Sequence, residues 1–176
     1  MSSRAYDTSS AAPGLDEAWA PLPQVGDLRA VYLHAGHLLV SRAPCRVTTI
    51  LGSCVAVGLW DAASGVGGLN HFLLPDGGEK DRVSTRYGTA AMAALIHEIV
   101  AAGGRRRRLQ AKLFGGACVL RSFQNSGWHL GAQNVEVARR VLLEHGIPLA
   151  AEDVEGERGR KLIFQTHDGS AWVRTL

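Results

Sequence analysis

Residues 47–60 read Val-Thr-Thr-Ile-Leu-Gly-Ser-Cys-Val-Ala-Val-Gly-Leu-Trp: two β-rich runs, 47–51 and 55–60, interrupted by Gly52-Ser53-Cys54. Runs of this length and composition, bounded by turn residues, predict strands. A third apolar run, 66–73, follows through the turn at 62–65, so the three are expected as adjacent strands of one sheet. Outward on the N-terminal side, 30–33 and 38–40 are short strand candidates around Gly36. On the C-terminal side, 74–86 is polar, carries Pro75, Gly77 and Gly78, and reads as a loop. At 87–102 the period changes: Ala91, Leu95 and Ile99 recur every four residues, Met92 and Ile96 widen the stripe, and Gly103-Gly104 stops a helix. A strand at 109–114 is followed by Gly115-Gly116, and a second helix at 130–144 lines up Val135, Ala138, Val141 and Leu142 before Gly146 and Pro148 end it. Strands are predicted at 149–154, 161–165 and 171–174, with Asp168-Gly169 as a hairpin signal between the last two. The order of elements predicts an α/β (α+β) chain, a mixed β-sheet with helices packed on it.

A chain of 176 residues fits one domain, expected over 25–176, after an N-terminal tail at 1–24. The tail is rich in Ser, Ala, Pro and Gly, has no clean period and is expected to be disordered. The net charge is +3, and the four consecutive arginines 105–108 exceed it, so the remainder of the chain is not basic. That argues against a nucleic-acid reading from bulk charge. The arginine run has no interleaved aromatics and reads as a solvated connection after a helix, while Lys112 reads as a solvated strand residue or a contact to an acidic partner. Cys45, Cys54 and Cys118 form no C-x-x-C pair, which argues against a disulfide scaffold and for a cytoplasmic protein. No apolar run approaches the length of a membrane span.

Cys54 sits at a sharp break between two strands, where a nucleophile projects into a cleft and its own N–H faces a developing oxyanion. Spacing alone leaves two readings open, a buried structural cysteine and a catalytic one. His71 interrupts an apolar strand behind Gly67-Gly68, whose missing side chains permit close packing. If its strand neighbours that of Cys54, the imidazole serves as base and then acid; standing alone it reads as a satisfied core histidine. Asn70 points to the opposite strand face and does not orient the ring. Thr48, six residues before Cys54, is placed to do so, and spacing alone makes Thr49 an equal candidate. His34-x-x-His37 lacks the neighbouring ligands a metal pair needs.

Together these residues carry a resemblance. The segment 48–57, Thr-Thr-Ile-Leu-Gly-Ser-Cys-Val-Ala-Val, resembles the signature of the chemoreceptor glutamine deamidase family, CheD. Asn70 to Pro75, Arg86-Tyr87-Gly88, Ala111 to Ala117, Gly131 with Asn134, and Gly159 to Phe164 resemble its further blocks, in order. The resemblance implies a catalytic set of Cys54, His71 and Thr48, a fold related to toxin deamidases and papain-like enzymes, and neither cofactor nor metal. It implies chemoreceptor cytoplasmic domains as substrate and a CheC-type phosphatase as a further partner; charge and apolar run length add the expectation of no nucleic acid and no membrane insertion. A regulatory binding module with little catalytic role is the alternative. The chain departs from the family pattern at Leu130-Gly131-Ala132-Gln133-Asn134 and at Glu155-Gly156.

Overall fold

The computed structural model describes residues 3–6, 28–119 and 129–176. Among the described residues, two five-stranded mixed sheets stack on each other, and two α-helices cover the outer face of one of them. In chain order the strands are β1 (Ser3–Tyr6), β2 (Arg29–Tyr32), β3 (His37–Ser41), β4 (Cys45–Leu51), β5 (Val55–Asp61) and β6 (Val66–His71). Helix α1 (Gly88–Ala101), β7 (Gln110–Gly115), α2 (Leu130–Glu144), β8 (Leu149–Val154), β9 (Arg160–Gln165) and β10 (Ala171–Thr175) follow. One sheet runs β1-β10-β9-β4-β2 and the other β3-β6-β5-β7-β8. The β2–β4 and β7–β8 pairs are parallel and the remaining pairs antiparallel.

The expectation that 47–51, 55–60 and 66–73 are neighbours in one sheet is corrected here. β5 and β6 pair with each other, but β4 pairs with β9 and β2 in the other sheet. Gly52-Ser53-Cys54 is the crossing between the two layers. Burial explains the division. Along β4 the buried residues alternate with exposed or half-buried ones, so one face meets solvent, whereas every residue of β5 is buried because both its faces are covered.

Two cores result. Val47, Leu51, Leu162 and Phe164 from the first sheet meet Ala56, Trp60, Leu69 and Phe114 from the second, forming an inter-sheet layer. Trp60 and Phe164 meet edge to face, with ring centroids 6.3 Å apart. On the far face of the second sheet Val55, Val57, Leu59 and Leu113 pack against Met92, Leu95, Ile99, Val135 and Val141 of the helices. Each such fully buried side chain contributes on the order of 1.5–3 kcal/mol. Lys112 also lies in the inter-sheet layer, 1% exposed, its ammonium 5.5 Å from the Trp60 ring centre. It is neither solvated nor displayed to a partner, because its even position in β7 shares a strand face with Phe114.

The tail expected at 1–24 contains β1, whose main chain pairs along Ala171–Arg174 of β10 and satisfies an otherwise open sheet edge. The rest of that stretch lies outside the described residues. The arginine run forms a single 3-10 turn, Arg106–Arg108. Arg108 forks onto the buried carboxylate of Asp61, Nη2 to Oδ2 at 2.7 Å and Nε to Oδ1 at 2.9 Å, while the Arg105 main-chain N–H donates to Oδ2 at 2.9 Å. The Arg108 fork, helped by that N–H, holds the Asp61 carboxyl well below the usual carboxylate range against the opposing effect of burial.

Removing Arg108 leaves Asp61, whose side chain is 1% exposed, as an uncompensated charge. Arg108→Ala is expected to lower the midpoint of urea unfolding. The neighbouring Arg107→Ala is expected to stay within about 0.5 kcal/mol of wild type.

Candidate active site

The site is built where the chain changes sheets. Gly52 and Ser53 form a bend, and Cys54 follows immediately before β5. The Cys54 carbonyl accepts from Gly116 N–H at 2.8 Å and the Gly52 carbonyl from Ala117 N–H at 2.8 Å, so the end of β7 fixes one flank of the bend. Gly115 makes this approach possible: its φ is +108°, and a Cβ there would stand 2.2 Å from the Cys54 carbonyl oxygen.

On the other flank, Val55 and Phe72 exchange both main-chain hydrogen bonds, at 3.1 and 2.9 Å. Continuing that register by one residue sets Cys54 opposite Leu73, on the strand face shared by His71 and diagonal to it. Diagonal neighbours lie roughly 7–8 Å apart at Cα, within reach of long side chains. The glycines before His71 are there for close approach: a Cβ on Gly67 would stand 2.0 Å from the Thr166 carbonyl oxygen, and one on Gly68 2.4 Å from that of Leu39. Asn70 faces the helix side, accepting from Val57 N–H at 2.9 Å and donating toward the Met92 sulfur at 3.4 Å.

The hydroxyl that meets His71 belongs to Thr49. Its Oγ1 lies 2.8 Å from His71 Nδ1 and donates to the Leu33 carbonyl at 2.8 Å. Thr48, expected in this role, stands on the other face of β4. Cys45, Val47, Thr49 and Leu51 point into the inter-sheet layer, whereas Arg46, Thr48 and Ile50 point away from it. The structure thus brings Thr49 to His71, places Cys54 and His71 on one face, and leaves Thr48 outside the group.

These bonds fix the tautomer. A threonine hydroxyl has one proton, and here it goes to Leu33 O, which can only accept. The Thr49 oxygen therefore accepts from His71 Nδ1–H, and the lone pair of the neutral ring resides on Nε2. That atom is buried and has no hydrogen-bond partner among the described residues. Burial pulls the His71 pKa down to about 4, with the Leu33 carbonyl acting the other way. Burial likewise pushes the Cys54 thiol up, opposed by its own main-chain N–H. At neutral pH the Cys54 thiol is protonated and the His71 imidazole is neutral, with its lone pair on Nε2.

Cys45 and Cys118 are buried. His34 packs edge-on against Tyr32 at 4.9 Å, and His37 Nδ1 bonds the Ala35 carbonyl at 3.1 Å. Among the described residues no three His, Cys, Asp or Glu side chains converge as a metal site requires, and no helix is long and apolar enough to cross a membrane.

Comparison with known proteins bears on this arrangement. The family model described as CheD chemotactic sensory transduction matches residues 73–175, beginning just after His71. A protein of Anaeromyxobacter dehalogenans named "Probable chemoreceptor glutamine deamidase CheD 1" is 49% identical over 166 residues, covering 94% of each chain. One of the same name from Dechloromonas aromatica is 41% identical over 151 residues, covering 85% of this chain and 74% of its own. Among solved structures, Bacillus licheniformis hypothetical protein YfiH aligns with a TM-score of 0.44 and 14% identity over 68% of this chain and 49% of its own, too distant to support an argument. On the family match and these relatives, the chain belongs to the CheD family.

Proposed function

We propose that the chain is a protein-glutamine deamidase that converts chemoreceptor glutamine side chains to glutamate and ammonia through a thioester on Cys54. The observation that carries the reading is the open, buried Nε2 of His71 on the face of Cys54, its tautomer set by Thr49, in a member of the CheD family. The relatives' names support the substrate.

Cys54 Sγ attacks the side-chain amide carbon as its proton passes to His71 Nε2. The main-chain N–H of Cys54 faces the resulting oxyanion, an interaction worth on the order of 3 kcal/mol where such donors have been removed elsewhere. Collapse breaks the C–N bond, and His71 returns the proton to the leaving nitrogen as ammonia. Water then attacks the thioester and gives its proton to Nε2. The C–S bond breaks, the proton returns to sulfur, and glutamate is released. Thr49 is the group proposed to hold the imidazole, in place of Thr48.

The same reading includes action in the cytoplasm, supported by the sparse cysteines without a C-x-x-C pair, and a CheC-type phosphatase as partner, supported by the family resemblance. A binding module with little catalysis is the reading that remains if turnover fails.

Incubation with a chemoreceptor cytoplasmic domain is expected to release ammonia and add the glutamine-to-glutamate mass shift at defined sites. Cys54→Ala is expected to abolish both. Equal conversion by that variant would exclude the cysteine mechanism, and no conversion by the folded, reduced wild type would leave the binding module. Thr49→Val is expected to lower turnover roughly 10²-fold through misplacement of the ring, while Thr48→Val stays near wild type; the reverse order would restore Thr48 to the site.

His71 also predicts a pH dependence of stability. Its folded pKa of about 4 lies below the ordinary unfolded value of about 6.5, so between the two the unfolded chain binds the extra proton. The stabilising contribution is complete above about 6.5 and lost as pH falls to about 4. It amounts to about 3 kcal/mol. The difference between urea unfolding curves of wild type and His71→Gln is expected to change by that amount across this window, with the other titrating groups cancelling.

A further inference from the structure

We infer that Asn134, in the first turns of α2, is a positioning residue that holds the nucleophile's bend and the histidine's strand at a fixed separation. This rests on the deamidase reading for its functional meaning, but its geometry is independent of the substrate. Asn134 is fully buried. Its carboxamide donates to the Ser53 carbonyl at 3.0 Å and to the Leu73 carbonyl at 2.9 Å. Both partners can only accept, so the orientation of the amide is unambiguous and both of its protons are used. Ser53 immediately precedes Cys54, and Leu73 lies two residues beyond His71.

The two carbonyls belong to strands that stop pairing at this point. Past the Val55–Phe72 bridge, the next exchange of a regular ladder would join Ser53 to Leu74. Leu74 N–H instead turns away and donates to the Arg86 carbonyl at 3.1 Å. The strands part beside Cys54, and the Asn134 amide spans the opening in place of the missing ladder bonds. A side chain from a helix does this because helical side chains lean toward the N-terminus, which carries the amide from α2 back over the sheet. The helix start is itself fixed, with the His129 ring accepting from Ala132 N–H at 3.2 Å. The remaining amide atom, Asn134 Oδ1, is buried with no hydrogen-bond partner among the described residues. The group is therefore used for its two donors and for nothing else the structure shows. The same bend is held from the β7 side by Gly116 and Ala117, so only the flank toward His71 depends on Asn134.

The test compares wild type, Asn134→Leu, which keeps the volume without donors, and Asn134→Ser, smaller with one donor. Two readouts are taken on folded protein: the pH profile of Cys54 alkylation by iodoacetamide, and kcat and KM on a chemoreceptor fragment. The proposal expects Asn134→Leu to lose roughly 10²-fold in kcat with KM little changed. Its alkylation profile is expected to become that of His71→Gln, showing that sulfur and imidazole no longer act as a pair. Asn134→Ser is expected to fall between, and it carries the test alone if the leucine variant does not fold. A lowered Tm with kcat and the alkylation profile unchanged would overturn the positioning role. Because alkylation needs no glutamine, a changed profile without turnover in wild type would sink the deamidase reading and leave the positioning inference standing.

Discussion

The hydroxyl of Thr49 between the Leu33 carbonyl and the His71 ring is the interaction on which the site depends. One proton and one lone pair decide the direction of two hydrogen bonds, and those directions decide which imidazole nitrogen is open. The sheets exist on either side of this contact: Thr49 comes from one layer, His71 from the other, and the chain crosses between them at Gly52-Ser53-Cys54. A shift of one residue in the β4–β9 register would turn Thr49 outward and bring Thr48 in. The catalytic proposal is therefore a statement about strand register as much as about three side chains.

Burial gives this small cluster its electrical character. In the inter-sheet layer neither a thiolate nor an imidazolium is favoured, so in the proposed mechanism the two groups rest neutral and separate charge only as the proton moves. A neutral base with an open nitrogen and a thiol on one strand face suits attack on an uncharged amide. Firm scaffolding keeps the arrangement: Gly116 and Ala117 grip the bend from β7, Asn134 grips it from α2, and the glycines at 67 and 68 let neighbouring backbones close over the histidine strand.

Much of this was legible in the sequence, and the failures have physical reasons. The helix at 130–144 was readable to its ends because apolar spacing and a Gly-Pro stop agree. The run at 55–60 was readable as a strand, but not as one covered on both faces. Its continuous burial and the alternation in 47–51 distinguish the two sheets, and adjacency in sequence concealed the difference. Cys54 and His71 stood out by type, each breaking a β-rich pattern. Thr48 and Thr49 differ only in which face of β4 they occupy, and that parity is fixed by the apolar residues Val47 and Leu51 beside them. Lys112 misleads because a charge in a strand suggests solvent, whereas its face is set by Phe114 two residues on. Asn134 gives no local signal of its role, since both its partners are main-chain carbonyls far away in sequence.

The most direct test of the central claim is nitrogen NMR of the His71 imidazole in resting wild-type protein near pH 7. The account predicts a neutral ring protonated at Nδ1, with Nε2 bare, and conversion to a mixed tautomer in Thr49→Val. A ring protonated at Nε2, or an imidazolium at that pH, would contradict it, because Nε2 could not then take the proton from Cys54.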